Sequence, residues 1–149
     1  MEIILFQPEI PQNAGNVVRT CAVTNSRLTL VRPLGFSTAS RHLKRAGLDY
    51  WEEMEIKIVD SLEDLLKHSN FYYFSSKATK LYTEISYKEE DLLIFGSETK
   101  GLPSYFHERW PVRGHRIPMV PGQRCLNLAN SVAIVLYEGL RQQGFRALQ

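Results

Sequence analysis

The sequence has few cysteines and no hydrophobic run long enough to cross a membrane. Across 149 residues, no stretch approaches the ~18 consecutive apolar residues of a membrane span. The two cysteines, Cys21 and Cys125, form neither a CxxC pair nor a disulfide framework. The opening MEIILFQPE begins with an acid and is too short for a signal peptide. These absences predict a reduced, cytoplasmic protein with no membrane partner.

Common patterns for metals and nucleotides are also missing. The four histidines show no paired spacing with each other or with the cysteines, so we expect no metal. The segment GSETKG, residues 96–101, matches neither the dinucleotide fingerprint nor the P-loop. Its Gly96 either allows a ligand to approach the backbone closely or simply serves a turn. Cys125 has no evident base nearby, so a thiol nucleophile has little support.

The charges are unevenly distributed although the formal net charge is only +2. Residues 1–48 carry six Lys and Arg against two acids, and residues 92–149 carry seven against three. The middle of the chain has five against eleven. If the two ends meet in space, they form a positive face suited to a polyanion, although a solvated surface without a partner would look similar.

Length and hydrophobic pattern predict one α/β domain covering residues 1–149. Apolar runs predict strands, and amphipathic stretches between them predict helices. A mainly parallel sheet with helices on both faces follows from this alternation. The predicted strands are residues 2–6, 28–31, 55–59, 71–75, 92–95 and 117–120. The predicted helices begin at Gln12 or Asn13, cover 38–47, run from a capping box at Ser61 to about His68, and cover 105–110 and 127–142.

The last predicted helix follows a segment that prolines interrupt, and loops of this kind on a rigid scaffold often carry binding sites. Its buried face is predicted to contain Leu128, Ala129, Val132, Ile134, Val135 and Leu136. Two other irregular segments, NAGN at 13–16 and GSETKG at 96–101, also follow strands. A parallel sheet would place all three segments at the carboxyl end of its strands, which is where such sheets bind ligands.

Polar groups on the first helix are the best candidates for chemistry that the residues alone provide. Arg19 either lies on the surface as an ordinary charge or directs its guanidinium at a phosphate or a developing oxyanion. Asn13 and Asn16 add neutral hydrogen-bonding groups to the same segment.

Three segments resemble, in order and spacing, the motifs of the SpoU (TrmH-like) branch of the SPOUT methyltransferases. They are PEIPQNAGNVVRTC (8–21), LLIFGSETKGLP (92–103) and RIPMVPGQRCLNLANSVAIVLYE (116–138). The similarity includes RAGLDYW (45–51) and so extends over nearly the whole chain. The sequence departs from the family pattern at two places. Cys125 stands where a small hydroxyl residue is commoner, and Gly122-Gln123 replaces a more polar turn.

The resemblance implies a C-terminal deep trefoil knot that binds S-adenosylmethionine, and an obligate homodimer with the last helix at its interface. The residues implied to contact the cofactor are Phe74, Gly96, Ile117, Met119, Cys125 and Leu126. The family gives the catalytic role to the arginine that matches Arg19. Since arginine keeps its proton in proteins, we expect Arg19 to stabilise the nucleophilic oxygen rather than to act as a base.

The implied reaction is 2′-O-methylation of the ribose at the wobble nucleotide, cytidine or uridine, in a tRNA anticodon loop. The residues proposed to contact the RNA are Asn13, Asn16, Arg124 and Tyr137, with basic groups at 41–45, Arg113 and Arg116 as further phosphate contacts. Two alternatives remain open. One is a non-catalytic RNA-binding protein of the same fold, and the other is a sister enzyme that methylates ribosomal RNA.

Overall fold

The computed structural model describes residues 1–47, 50–67, 69–146 and 148. Seven strands form one sheet in the order β3-β2-β1-β6-β4-β7-β5, and every pair of neighbouring strands is parallel. This confirms the predicted parallel α/β sheet. The strands are β1 Glu2–Phe6, β2 Arg27–Val31, β3 Ile56–Val59, β4 Phe71–Phe74, β5 Lys80–Leu81, β6 Leu92–Phe95 and β7 Gly114–Arg116.

Helices cover both faces of this sheet. The helices are α1 Pro11–Val23, α2 Arg41–Gly47, α3 Tyr50–Glu53, α4 Glu63–Lys67, α5 Tyr105–Arg109 and α6 Leu128–Gln142, with 3-10 turns at Tyr82–Glu84 and Pro111–Arg113. Alternate residues of β1 point to opposite faces, so Ile3 and Leu5 join the core under α1 and α6. Ile4 joins the second core, which contains Phe106 of α5.

The first helix begins earlier than the sequence predicted. Its first residue is Pro11, so the prediction of a cap at Gln12 or Asn13 is wrong. Proline suits this position because the first helical N–H needs no partner and the ring presets the backbone angle. Gly15 lies inside the helix rather than in a loop. The asparagine at position 13 is therefore a buried helical residue and not a cap.

The segment between β7 and α6 is also different from the prediction. The last strand is Gly114–Arg116, and the predicted strand at 117–120 is wrong. Pro118 has no N–H to donate to a neighbouring strand, and 70% of the Val120 surface is exposed. Residues 117–127 therefore form an irregular loop that follows the last strand. We call this segment the 117–127 loop.

Smaller differences concern the remaining elements. The short elements β5 and α3 were not predicted. Helix α6 is confirmed, except that Ile134 is 36% exposed and does not belong to its buried face. The Ser61 hydroxyl accepts a hydrogen bond from the Glu63 N–H at the start of α4. The predicted end of that helix at His68 lies outside the described residues, as do positions 48 and 49 of the RAGLDYW segment.

Close backbone contact between α1 and α2 depends on Gly15. A Cβ at this position would lie 2.6 Å from Ala46 Cβ, 2.7 Å from the Leu43 carbonyl oxygen and 2.8 Å from the Gly47 nitrogen. Two of these atoms belong to the backbone and cannot move aside cheaply. The helical glycine of α6, Gly139, faces instead the unbranched end of the Met1 side chain, with Sδ at 2.6 Å, and a ring carbon of Tyr87 at 3.3 Å.

The two glycines therefore make a matched pair. We expect Gly15→Ala to lower the free energy of unfolding by about 1–3 kcal/mol, because overpacking outweighs the gain in helix propensity. Gly139→Ala gains the same propensity, and the Met1 side chain can rotate away, so its effect should be near zero. Denaturant unfolding of both variants measures this, and equal destabilisation would contradict the account.

A second expectation concerns His115, which lies in β7 and is 4% exposed. Burial lowers its pKa, the nearby charge of Lys80 adds to this, and the hydrogen bond that Nδ1 donates to the Arg113 carbonyl opposes it. Since the folded pKa lies below that of the unfolded chain, the unfolded chain takes up the proton first. This contribution to stability is complete above about pH 6.5 and is lost as the pH falls through the folded pKa.

We therefore expect the free energy of unfolding to fall between neutral pH and pH 5, with a shallower slope in His115→Gln. Chemical denaturation at several pH values measures the slope. His42→Gln, at an exposed position of α2, is the matched control and should keep the wild-type slope. A His115→Gln slope as steep as that of the wild type would show that another group is responsible.

Candidate active site

The carboxyl ends of four adjacent strands bring four loops side by side. Strands β1, β6, β4 and β7 are neighbours in the sheet, and all four run in the same direction. The predicted convergence of the segments after β1, β6 and β7 is confirmed. The structure adds residues 75–79, after β4, which the sequence did not single out. The site is thus formed by the start, the middle and the end of the chain.

A carboxylate from the middle of the chain binds the start of α1. Glu98 Oε2 accepts the Glu9 N–H at 2.8 Å, and its Oε1 accepts the Ile10 N–H at 3.1 Å. The same Oε1 accepts a hydrogen bond at 3.1 Å from Nδ2 of Asn13. The Thr99 hydroxyl contacts both carboxylate oxygens of Glu9, at 2.8 and 2.7 Å. The 96–101 loop is therefore fixed to the beginning of α1.

The third segment joins through the start of α6. Asn127 Nδ2 donates to Asn13 Oδ1 at 2.8 Å. Its Oδ1 accepts the N–H groups of Ala129 at 2.8 Å and Asn130 at 3.3 Å, which makes Asn127 the N-cap of α6. We call Glu98, Asn13 and Asn127 together the Glu98 relay. It connects residues that are 85 and 114 positions apart in sequence.

The 96–101 loop folds back tightly on itself. Ser97 and Gly101 exchange backbone hydrogen bonds, at 3.2 Å from the Ser97 N–H and 2.9 Å from the Gly101 N–H. A Cβ on Gly96 would lie 2.2 Å from the Gly101 carbonyl carbon, so only glycine fits there. The close approach that Gly96 allows is to the loop's own backbone, which favours the turn alternative for this residue.

The 117–127 loop combines open backbone groups with apolar side chains. Within these eleven described residues one backbone hydrogen bond is present, from the Gln123 N–H to the Val120 carbonyl. Ile117 packs on the core beneath the loop, Met119 is half-buried and Leu126 is 39% exposed. Cys125 is exposed, and its Sγ lies 3.6 Å from the Ser76 hydroxyl, so this loop meets the 75–79 segment.

Phe74 and Phe95 form an aromatic layer at the ends of β4 and β6. Their rings stack with centroids 4.8 Å apart and planes at 18°, and both side chains are buried. Phe74 and Ile117 belong to the same hydrophobic core. Of the six positions implied for the cofactor, Phe74 and Ile117 thus share one core, and Cys125 contacts the segment that follows Phe74.

Arg19 and Asn16 are exposed on α1, away from the relay. Arg19 lies six positions after Asn13 in the helix, which places the two side chains about 120° apart around the helix axis. In the described part of the chain the Arg19 guanidinium makes neither a hydrogen bond nor an ion pair. It lies one turn beyond Gly15, on the side of α1 that packs on α2. The exposed basic residues of α2 therefore border the same surface.

The other positions expected to contact RNA fall into two groups. Arg124 and Tyr137 are exposed, Tyr137 by 44%. Asn13 is instead 7% exposed, and both ends of its amide are engaged in the relay. Arg113 donates to Asn70 Oδ1 and to the Phe71 carbonyl at the opposite end of β4, which is a structural role.

Arg116 differs from Arg113, since its buried Nε makes no hydrogen bond within the described residues.

Cys21 faces the core, and burial raises the pKa of its thiol to about 12, which removes it from consideration as a nucleophile. No group of three or more potential metal ligands occurs among the described residues. Among the described helices, none combines the length and hydropathy that a bilayer-spanning segment needs.

Two functional residues were missed by sequence reasoning, Glu98 and Asn127. Glu98 was treated as part of a glycine loop, although it is the single acid between residues 92 and 107. Asn127 was identified as the start of a helix and not as a contact to the first segment. An asparagine at an N-cap is a strong local signal, but its second contact, to Asn13, has no local signature.

Comparison with known proteins identifies the family of this chain. The SpoU rRNA Methylase family matches residues 1–137. A relative from Geobacillus stearothermophilus is 47% identical over 99% of this chain and 98% of its own length. The tRNA (cytidine(34)-2'-O)-methyltransferase of Methylovorus glucosotrophus is 43% identical over 97% of this chain and 96% of its own.

A solved structure from work on the 2-OH methylation of C/U34 on tRNA superposes with a TM-score of 0.90. It is 42% identical, and the match covers 97% of both chains. Sequence and fold therefore agree over the full length. The chain belongs to the SpoU methylase family.

Proposed function

We propose that this protein methylates the ribose 2′-hydroxyl of the wobble nucleotide, cytidine or uridine, in tRNA, with S-adenosylmethionine as methyl donor. The observation that carries the proposal is the match, over nearly the full length, to the cytidine(34) enzyme of Methylovorus glucosotrophus. The convergence of the three family motifs at one end of the sheet supports it. A cytoplasmic location goes with this activity.

The residues at the site fit such a cofactor. The 117–127 loop presents backbone N–H and C=O groups that few hydrogen bonds within the loop occupy, beside apolar side chains. This suits a ligand that is bound through backbone hydrogen bonds and apolar packing. Phe74, Ile117 and Leu126 would pack on the adenosine, and Gly96, Met119 and Cys125 would contact it through backbone and small groups. When bound, S-adenosylmethionine supplies a methyl group activated by a positively charged sulfur.

Arg19 is the proposed catalytic residue. A ribose hydroxyl is a poor nucleophile, and it gains reactivity when charge on its oxygen is stabilised. An exposed guanidinium with no partner in the described part of the chain is available for that oxygen or for a neighbouring phosphate. Because arginine keeps its proton, the proton passes to another acceptor, such as a phosphate of the tRNA. Asn16, Arg124 and Tyr137 remain proposed contacts to the RNA.

The proposed active form is a homodimer in which α6 lies at the interface. Ile134 of α6 presents apolar surface that the rest of the described chain leaves exposed. Val23 at the end of α1 is 51% exposed. A second copy would cover this surface and add a second basic face for an anticodon stem. The family resemblance also supports a deep trefoil knot through the 117–127 loop.

A sister activity on ribosomal RNA is the second candidate, because the matching family is described as an rRNA methylase family. Incubation with methyl-labelled cofactor and either tRNA or ribosomal RNA, followed by nucleoside mapping by mass spectrometry, separates the two. We expect a 2′-O-methyl group at position 34 of tRNA. Methylation confined to ribosomal RNA would favour the sister enzyme, and no transfer by folded protein would favour an RNA-binding protein.

Removal of Arg19 tests its role. We expect Arg19→Ala to lower kcat/KM by about 100- to 1,000-fold, as for loss of one oxyanion-stabilising donor. The dissociation constant of S-adenosylhomocysteine, measured by calorimetry, should change little because Arg19 lies outside the cofactor residues. Arg27→Ala, at the opposite end of the sheet, is the control and should keep full activity. Loss of cofactor binding in Arg19→Ala would place this residue in the cofactor pocket instead.

The dimer has a separate test. We expect Ile134→Glu to shift the protein towards monomer at micromolar concentration, because a charge replaces apolar contact surface. Sedimentation velocity measures the shift. The matched control is Val112→Glu, which changes an aliphatic residue that is 67% exposed near α5. A wild-type monomer, or an unchanged dimer in Ile134→Glu, would contradict the proposed interface.

A further inference from the structure

The start of α1 lacks a cap of its own. Its N-cap residue, Ile10, provides no side-chain hydrogen bond, and its first turn contains no acid. The carboxylate of Glu98 compensates from 85 or more residues away, since it accepts the N–H groups of the two residues before the helix, Glu9 and Ile10, and brings negative charge to the helix start. The start of this helix therefore depends on the conformation of the 96–101 loop.

The charge of Glu98 also sets the direction of every bond in the relay. A carboxylate accepts hydrogen bonds and cannot donate them, so Asn13 must turn its Nδ2 towards Glu98. Its Oδ1 then faces Asn127 and receives that residue's Nδ2. This leaves the Oδ1 of Asn127 to cap α6. One ionised group thus fixes two amide orientations and the starts of two helices.

The relay joins the parts of the site that have different tasks. The 96–101 loop and the 117–127 loop are the two sides of the proposed cofactor pocket. Helix α1 carries Arg19, about 9 Å further along the helix from Asn13. The amide of Asn13 at its centre is 7% exposed, whereas Glu98 is half-buried and Asn127 is exposed, so only the middle of this connection is shielded from water. A shift of either loop on ligand binding would pass to α1 through this connection.

We infer that Glu98 is a positioning residue that couples occupation of the cofactor pocket to the placement of α1 and its Arg19. The inference rests on the proposed function for the identity of the two ligands. By thermodynamic linkage, cofactor and tRNA then strengthen each other's binding by the same factor, and that factor depends on Glu98.

The variant Glu98→Gln tests this with little change in size. Its amide keeps one acceptor oxygen but turns an N–H₂ group towards an N–H donor, so the bonds of the relay cannot all form. Glu98→Asp keeps the charge and the acceptor-only chemistry on a shorter side chain and should restore part of the effect. Glu108→Gln, at an exposed position of α5, controls for the loss of one negative charge.

The first measurement is the dissociation constant of S-adenosylhomocysteine with and without saturating tRNA. We expect the dissociation constant without tRNA to be about 5 or more times the constant with tRNA in the wild type and in Glu108→Gln. In Glu98→Gln this ratio should fall to about 1. In Glu98→Gln, kcat should fall by a larger factor than the factor by which the KM for the cofactor rises. A ratio and a kcat that stay at wild-type values in Glu98→Gln would overturn the inference.

The second measurement needs no RNA and so separates this inference from the proposed function. In ¹⁵N NMR spectra, S-adenosylhomocysteine should shift the side-chain amide signals of Asn13 and Asn127 in the wild type. In Glu98→Gln the ligand should still shift signals of the 117–127 loop while the Asn13 signal stays unchanged. Identical shifts in both proteins would overturn the coupling, whether or not the wild type methylates tRNA.

Discussion

The hydrogen bonds of one carboxylate join the three segments of the candidate active site. Glu98 binds the start of α1, and through Asn13 and Asn127 it reaches the start of α6. The three segments involved come from the beginning, the middle and the end of the chain. Since the amide of Asn13 is buried and an unpaired buried amide is costly, loss of either partner would leave Asn13 unsatisfied. The site is therefore an assembly of distant segments rather than a property of any single loop.

The sheet makes this assembly possible. Because β1, β6, β4 and β7 are parallel neighbours, their loops emerge at one end and at similar height. Glycine at position 15 lets α2 approach α1, and the stack of Phe74 on Phe95 would give the proposed cofactor pocket an apolar base. Arg19 then projects from the outer side of α1, where a long RNA can reach it and a small ligand in the pocket need not.

Much of this architecture follows from local sequence signals, and its failures have local causes. Short buried runs such as LLIF predicted the central strands, and the amphipathic pattern after Asn127 predicted α6. The start of α1 was misplaced because a polar cap was expected at Gln12 or Asn13, whereas proline favours the first helical position and Pro11 begins the helix. The strand predicted at 117–120 failed because Pro118 cannot take part in a sheet. The Glu98 relay had no sequence signal, since its bonds join residues far apart in the chain.

The most direct test of the account is a crystal structure with S-adenosylhomocysteine bound. The account predicts one ligand that contacts both the 96–101 loop, at Gly96, and the 117–127 loop, at Ile117 and Leu126, with the Glu98 relay intact beside it. A ligand that contacts only one of these loops, or that lies elsewhere on the protein, would contradict the central claim that the distant segments form a single site.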